Sequence, residues 1–362
     1  MVAFIKRAGV LILLGLCGLC SANFLDLPSP PDEGTALNLP KSGNKNARKN
    51  FSAVVERNNL LVMASDEGTF IYVFVKKGQA YEVRKPINLL PGSKKELDLE
   101  AMAWGPKHLF VIGSHSRARN RVKTGKKSEK QLKKNPGSPV WTQEENLARL
   151  REDRPEKKRK YLFRLKLSND GKLVGEIVKL SLKPAIAAGL LKPFLAGNSK
   201  ENGIDIEGLA VDSKQEKLYV GFRGPVLREN YVPVMVVDLT AGFAQDGLKT
   251  KLVYINLEGR GIRAMCTTAG GDLLVMGGPM GDGFASFRLY RWNGKSALPG
   301  LGSSGVVTDL GEIYIPPNSK GKRIKAEGLV LRAETATHYK LLVVYDGMPM
   351  GQPRLLSVGN KQ

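Results

Sequence analysis

Residues 205–210 read Asp-Ile-Glu-Gly-Leu-Ala, and after a short gap residues 218–222 read Leu-Tyr-Val-Gly-Phe. This pair of segments returns four more times, with variations, in a chain of 362 residues. The first segments of those copies are Ser52–Val55, Asp98–Ala103, Gly261–Met265 and Lys325–Leu329, and each precedes an apolar run. A unit that recurs in this way indicates a fold built from repeated small modules.

Each repeat contains four strand signals, which are short β-branched and aromatic runs separated by Gly, Pro, Asn and Asp. We designate the repeated phrase strand A and the apolar run after it strand B. Strand C is predicted at Phe70–Phe74, Tyr161–Leu165, Val234–Asp238, Phe287–Arg291 and Arg354–Val358. Strand D is predicted at Lys85–Leu89, Glu176–Leu180, Leu252–Leu257 and Glu312–Ile315.

The fifth repeat has no strand D, because the chain ends soon after its strand C. A matching segment lies at the other end of the chain, where Ala36–Pro40 resembles Ile87–Pro91. An N-terminal strand would therefore complete the last unit and close a ring, which removes exposed sheet edges. We predict an all-β protein, a β-propeller with five four-stranded blades; a sixth, degenerate blade is the alternative.

A strongly basic insertion, residues 117–160, lies between strands B and C of the second blade. It holds 16 Lys or Arg and 6 Asp or Glu, so it supplies +10 of the formal net charge of +22. The segment Trp141–Arg151 within it is predicted to be helical. A second stretch outside the repeats, Lys183–Gly203, contains a predicted short helix at Ala185–Leu191.

The N-terminus has the pattern of a secretory signal peptide over residues 1–22. Lys6 and Arg7 precede a short apolar run, and small residues follow it. A membrane anchor is the alternative, but a spanning helix needs about 20 apolar residues. We expect an exported protein, periplasmic or extracellular, with one domain over residues 23–362. Its one remaining cysteine, Cys266, leaves no internal disulfide.

The basic composition favours anionic partners, namely nucleic acid, lipid headgroups, polyanionic glycans or phosphorylated small molecules. No RNA-binding motif is present and export argues against a genomic partner, so we expect no nucleic acid. An anionic small molecule or an envelope polymer is the expected partner. Peripheral contact with a membrane stays open, and no transmembrane segment is expected in the mature chain.

The propeller geometry gathers polar residues from distant parts of the chain. Strand A begins and strand B ends at the same face, so both should line one mouth of the central channel. The residues at the start of strand A are Asp98, Glu100, Asp205, Glu207, Arg263 and Glu327. Those at the end of strand B include Asp66, His115, Arg223 and Asp346.

Carboxylates that meet in a narrow channel repel one another and are costly to desolvate. A bound divalent cation relieves both problems, and hard oxygen ligands suit Ca²⁺ or Mg²⁺. Glu100, Glu207, Glu327 and Asp98 would then be the metal ligands. Structural pairing is the alternative, in which these carboxylates bond backbone amides and basic neighbours such as Arg223 and Arg263.

Two functions from different classes remain open at this point. The first is a non-catalytic exported propeller that binds an anionic ligand or envelope partner at the channel mouth, with Arg223, Arg263, Asp66 and Asp346 among the binding residues. The second is a divalent-metal-dependent hydrolase of phosphoesters or related esters. In that case His115 or Asp205 acts as the general base, and the two arginines hold the anion.

The phrases at residues 111–116, 205–210 and 218–227 resemble a bacterial family known as domain of unknown function 3616, over most of residues 50–357. The family has no established activity, so the resemblance implies the fold alone. More distantly, the Glu-Gly phrase is similar to phytase-like esterases and gluconolactonase-like lactonases, which hold calcium or another divalent ion with axial carboxylates. Glu100, Glu207 and Glu327 are the corresponding positions. Arg263 and Ser52 depart from that pattern.

Overall fold

The structure, a computed structural model, describes residues 31–360 with few exceptions. Those exceptions are Asn44, Asn46, Lys94, Asn135, residues 155–158, Gln215, Phe284 and residues 318–322, together with the side chains of Asp153, Arg154 and Gln245. The predicted signal peptide, residues 1–22, lies outside the described residues. Its removal and the single domain over residues 23–362 therefore stay predictions.

The first two blades follow the predicted four-strand order, from the innermost strand outwards. The chain begins with β1 (Thr35–Ala36), and blade one then contains β2 (Phe51–Arg57), β3 (Leu60–Ser65), β4 (Phe70–Lys77), β5 (Ala80–Val83) and β6 (Ile87–Asn88). Blade two contains β7 (Leu99–Trp104), β8 (Leu109–Gly113), β11 (Leu162–Leu167) and β12 (Leu173–Leu180). The outer edge of blade one is divided, because both β5 and β6 pair with β4.

The basic insertion of blade two is partly helical, as the sequence predicts. It contains a two-stranded ribbon, β9 (Ala118–Arg119) with β10 (Asp153–Arg154), and the helices α1 (Glu129–Lys134) and α2 (Gln143–Arg151). After β12, the second predicted helix appears as α3 (Lys183–Ala187). Short 3-10 helices lie at Ala47–Lys49, Lys192–Leu195, Ser199–Glu201, Arg228–Asn230, Gln245–Gly247 and Pro349–Gly351.

The other three blades complete the ring. Blade three contains β13 (Asp205–Val211), β14 (Lys217–Gly224), β15 (Tyr231–Asp238) and β16 (Thr250–Asn256). Blade four contains β17 (Gly261–Thr267), β18 (Leu273–Gly278), β19 (Arg288–Trp292) and β20 (Val307–Glu312). Blade five contains β21 (Lys325–Glu334), β22 (His338–Asp346) and β23 (Arg354–Gly359).

Closure of the ring is confirmed at the N-terminus. Strand β1 pairs antiparallel with β23, with Thr35 opposite Leu355, and so supplies the missing outer strand of blade five. The innermost strands contact one another in the order β2, β7, β13, β17, β21 and back to β2. The fold is therefore a five-bladed β-propeller of antiparallel sheets.

The apolar core is divided among the spaces between neighbouring blades. Each of five buried clusters joins the facing sides of two adjacent blades, and the cluster between blades five and one closes the circle. Burial between blades stabilises the ring without a single central core, so the axis is left for polar side chains. Within the described residues, no helix is long and apolar enough to cross a membrane.

Candidate functional site

Every innermost strand carries a β-bulge at the same repeat position. In blade three, Ile206 is opposite Phe222 and Gly208 is opposite Gly221, so Glu207 has no partner of its own across the ladder. The bulged residues of the five blades are Ser52, Glu100, Glu207, Arg263 and Glu327. Because a bulge bends the strand and re-aims its side chains, it accounts for the polar residues that these strands present to the axis.

The residue after each bulge is small, and the packing of neighbouring blades explains why. A Cβ atom at Gly208 would lie 2.6 Å from Ile262 Cγ2 of the next blade. A Cβ atom at Gly328 would lie 2.8 Å from Val54 Cγ1. In the other three blades the equivalent residue is alanine, at Ala53, Ala101 and Ala264. The repeated phrase therefore combines a bulged polar residue with a small residue that lets the inner strands approach.

Seven charged side chains form one chain of alternating sign across blades three to five. In order they are Asp205, Arg223, Glu207, Arg263, Glu327, Lys325 and Asp346. Arg223 Nη1 lies 2.5 Å from Glu207 Oε1, and Arg263 Nη1 lies 2.9 Å from Glu207 Oε2. Lys325 Nζ lies 2.7 Å from Asp346 Oδ2. Glu207 and Glu327 thus have the basic partners that the pairing alternative requires.

Burial acts against ionisation of the carboxyls in this chain. It raises the pKa of Asp205 to about 7, although the Arg223 cation opposes the change. It raises the pKa of Glu327 to about 6, against Lys325 and Arg263. The neighbouring cations therefore keep the pKa values of Asp205 and Glu327 from rising above neutral pH in spite of burial.

The opposite half of the ring, at blades one and two, is different because its two bulged residues are Ser52 and Glu100, and neither is basic. The Ser52 hydroxyl donates to the Leu99 carbonyl and brings no charge to the axis. Among the described residues, the carboxyls of Asp66 and Glu100 form no ion pair and no side-chain hydrogen bond, and Asp66 Oδ1 is buried. Burial, reinforced by the surrounding carboxylates, raises the pKa of Asp66 to about 9 and holds that of Glu100 well above its usual range.

Asp98 is held by the insertion and by the end of β8. Arg159 Nη1 lies 2.9 Å from Asp98 Oδ2, and the hydroxyls of Ser114 and Ser116 donate to the same oxygen. Arg159 also contacts Glu96. Burial nevertheless raises the pKa of Asp98. Because Arg159 and two serine hydroxyls hold Asp98 Oδ2, the Asp98 side chain has a fixed position in the wall of the cavity.

His115 does not line the channel mouth, in contrast to the sequence-based expectation. Strand β8 ends at Gly113, and His115, two residues later, has a left-handed φ of 57°. Its Nδ1 is 2.8 Å from the Gly113 carbonyl, and its Nε2 accepts from the Leu182 amide at 3.3 Å. Burial lowers the pKa of His115 to about 4. With both nitrogens engaged behind the wall, this placement does not support a role as general base.

The other nine predicted site residues line two adjoining cavities of about 720 and 690 Å³. The larger, the acidic lobe, is lined by ten carboxyl and eight basic side chains, among them Asp66, Asp98, Glu100, Asp205, Glu207 and Glu327. The smaller, the basic lobe, has six cations, namely Arg121, Lys200, Arg223, Arg263, Arg323 and Lys325. Its four carboxylates are Asp66, Glu67, Asp282 and Asp346.

The carboxylates do not form a metal site as they stand. In the part of the chain that the structure describes, no group of three or more His, Cys, Asp or Glu side chains is arranged to hold a metal ion. Glu207 and Glu327 are turned to Arg263 instead. We therefore derive no chemical step through a divalent cation, and metal binding at these carboxylates stays a prediction.

Sequence reasoning missed three residues of the site. Arg159 lies near the end of the basic insertion, two residues before the predicted strand C. That position at the end of a loop was the signal that could have placed it at the channel mouth. Lys200 and Asp282 form an ion pair between the segment before β13 and the loop after β18. Asp282 lies in the glycine-rich stretch 278–283, whose composition suggests only a turn between strands.

Comparison with solved structures gives many matches of low similarity. They include a Lactobacillus plantarum protein at 12% identity (86% of this chain, 71% of that chain, TM-score 0.37). The PQQ-bound aldose sugar dehydrogenase from Streptomyces coelicolor matches at 14% identity (91% and 99%, TM-score 0.36). Regucalcin from Agrobacterium tumefaciens, described as calcium-binding, matches at 10% identity (91% and 93%, TM-score 0.35). At this level of similarity we draw nothing from them.

No curated protein matches the chain. The family model described as "Protein of unknown function (DUF3616)" matches residues 50–355, which include all five blades except β1 and the end of β23. The resemblance seen in the repeated phrases is thereby confirmed, and the chain belongs to this family.

Proposed function

We propose that this propeller is a binding protein that takes an anionic ligand at the channel mouth, with the basic lobe as its seat. The charge of that lobe carries the proposal. Among the described residues six cations and four carboxyl groups line it, so cationic groups predominate on its wall, where carboxylates of the neighbouring lobe hold Arg223, Arg263 and Lys325 in place. A concave wall on which one sign predominates concentrates counter-ions, so this lobe favours a small anion.

Unused hydrogen-bond donors support the same ligand. The Nη atoms of Arg223 and Arg263 contact carboxylates, but the buried Nε–H of each has no hydrogen-bond partner among the described residues. A buried donor without an acceptor costs about 1–3 kcal/mol. The neighbouring carboxylates fix the planes of both guanidinium groups, so an anion in the lobe would meet cations whose side chains are already ordered.

The insertion adds a longer-range attraction. It carries an excess of ten positive charges, and its residues Arg119, Arg121 and Lys123 line the acidic lobe. Such a field raises the association rate of anions and weakens with salt. We also propose that the protein is exported to the periplasm or beyond the cell, on the strength of residues 1–22. An envelope polymer or a small anion would then be the available ligand.

Thermal shift and calorimetry with inorganic pyrophosphate as the probe test this seat. Lys200 is suited to substitution, because its partner Asp282 is 82% exposed and remains solvated without it. We expect Lys200→Met to keep the wild-type Tm and to weaken pyrophosphate binding about tenfold, as for one charged hydrogen bond. Lys172→Met, on an exposed turn, is the control. Absence of binding at millimolar pyrophosphate, or equal affinity in Lys200→Met, would refute the seat.

A divalent-metal-dependent hydrolase is the second candidate, and one observation favours it. The carboxyls of Asp66 and Glu100 line the acidic lobe without a cation partner among the described residues. Calorimetric titration with Ca²⁺ and Mn²⁺ separates the two functions. Binding that Glu100→Gln weakens, with hydrolysis of a phosphoester, would favour the hydrolase. If the titration shows no heat of binding at millimolar metal, the hydrolase is excluded and the binding function is favoured.

A further inference from the structure

Helix α2 leaves its apolar side chains uncovered. None of its residues is buried, whereas a helix of a folded domain normally hides an apolar face. Leu147 and Leu150, one turn apart on the same side, are each 45% exposed. Val122, in the segment that runs beside α2, is 51% exposed. Val122 and Leu150 line the same cavity, and Leu147 precedes Leu150 by one turn, so we treat the three side chains as one small apolar patch on the basic insertion.

The patch is held in a fixed shape by hydrogen bonds. Thr142 and Glu145 cap α2 reciprocally. The Asn146 amide accepts from Lys123 N at 2.7 Å and donates to Lys123 O at 2.9 Å. Arg149 Nε donates to Arg121 O at 2.6 Å. Segment 121–123 and α2 therefore form one ordered surface, and a partner would lose little affinity to ordering it.

Charge and shape together select the kind of partner. The exposed Arg121 and Lys123 flank Val122, so the partner must be anionic and must also offer apolar groups. A polyphosphate or a plain glycan lacks apolar side chains. An anionic membrane has both but is flat, whereas Val122 and Leu150 lie on the wall that the insertion contributes to the concave cavity of about 720 Å³. That wall brings five of the cavity's cations and no carboxyl group, namely Arg119, Arg121, Lys123, Arg149 and Arg159. An extended chain can follow that concave wall.

We propose that α2 and segment 121–123 are a docking surface for an acidic polypeptide segment that carries apolar side chains. Its carboxylates would face Arg121 and Lys123, and its apolar side chains would cover Leu147, Leu150 and Val122. The apolar part of this surface is separate from the small-anion seat, because no leucine of α2 lines the basic lobe, whereas Arg121 lines both.

Fluorescence anisotropy tests the surface with three probes: a labelled peptide that alternates glutamate and leucine, a labelled peptide of glutamate alone, and phosphatidylglycerol vesicles. We expect the glutamate–leucine peptide to bind at least tenfold more tightly than the glutamate peptide. Leu147→Ser combined with Leu150→Ser should remove that preference, while Tm and pyrophosphate binding stay unchanged. Leu173→Ser combined with Val174→Ser, equally exposed on β12, is the matched control and should change nothing.

A second variant, Arg121→Ser with Lys123→Ser, should weaken both peptides and reduce the dependence on salt. Equal affinity for the two peptides would overturn the proposal, as would full affinity in the double-leucine variant. Binding to vesicles but not to peptide would overturn it in favour of a membrane surface.

Discussion

The guanidinium of Arg263 lies between the carboxylates of Glu207 and Glu327, with Nη1 2.9 Å from Glu207 Oε2 and Nη2 in contact with Glu327 Oε1. All three side chains are buried, and they belong to three consecutive blades. The single basic bulged residue of the ring therefore compensates the glutamates on both sides of it. Ser52, across the ring, compensates neither of its neighbours.

Replacement of Arg263 by methionine should therefore be severe. Two buried carboxylates would lose a shared cation, and breaking a buried pair costs about 3–5 kcal/mol. Denaturant unfolding measures the loss. Arg288→Met in the same blade is the control, and its partly exposed pair should cost about 0–1 kcal/mol. Adding Glu207→Gln to Arg263→Met should restore part of the stability. A cost below about 1 kcal/mol would contradict the compensation.

Asp66 should make the protein less stable as pH rises. Its pKa in the folded protein is raised to about 9 by burial and by neighbouring carboxylates, so the folded state favours the protonated form. That contribution is complete below the unfolded pKa of about 4 and is lost as pH rises towards 9. Asp66→Asn should raise Tm at pH 9 relative to the wild type and have little effect at pH 5. Asp246→Asn, at an exposed site, should show no such difference; a parallel pH profile for both variants would count against an uncompensated Asp66.

The effect of His115 on stability has the opposite dependence on pH. Its folded pKa is lowered by burial to about 4, so the unfolded chain binds the proton more readily between pH 4 and 6.5. Stability is present above the unfolded pKa and falls as pH drops through this window, by at most about 3 kcal/mol. His115→Asn, which tolerates the positive φ, should flatten that part of the profile and leave pyrophosphate binding unchanged. If His115→Asn loses pyrophosphate binding while its Tm is unchanged, His115 contributes to the binding site after all.

The small residue after each bulge gives a packing prediction. Gly328→Ala places a Cβ atom 2.4 Å from Val344 Cγ2 and 2.8 Å from Val54 Cγ1. Overpacking of this kind costs about 1–3 kcal/mol, and chemical denaturation would detect it. Gly137→Ala, which meets nothing within 4 Å, is the control. A Gly328→Ala protein as stable as the control would mean that the inner strands can move apart without cost.

Much of the fold could be predicted because strand signals and the repeat reinforce each other. Ala36 was assigned to the last blade on its resemblance to residues 87–91, and β1 does pair with β23. The bulges could not be predicted in the same way. Simple alternation assigns every second residue of a strand to the same face of the sheet. The amino-acid sequence does not show that Glu207 lacks a partner in the strand pairing.

The sequence predicted which residues would face the axis, but it did not predict which of them would form ion pairs with one another. Propeller geometry alone brought Glu100, Glu207 and Glu327 towards one axis. Which carboxylate receives a cation depends on side-chain directions that follow from the bulges and from loops such as the one holding Arg159. The sequence also could not show that His115, which has a left-handed φ just after β8, would engage the Gly113 carbonyl and the Leu182 amide with its ring nitrogens.

Anomalous diffraction from crystals soaked in selenate tests the anion seat most directly. Selenate is a small dianion that the cationic wall of the basic lobe should attract, and its selenium can be located without bias. We predict a peak in the basic lobe within hydrogen-bond reach of Arg223, Arg263 or Lys200, which Lys200→Met weakens. Selenate bound only at exposed lysines of the outer blades, with no peak in the lobe, would contradict the proposed function.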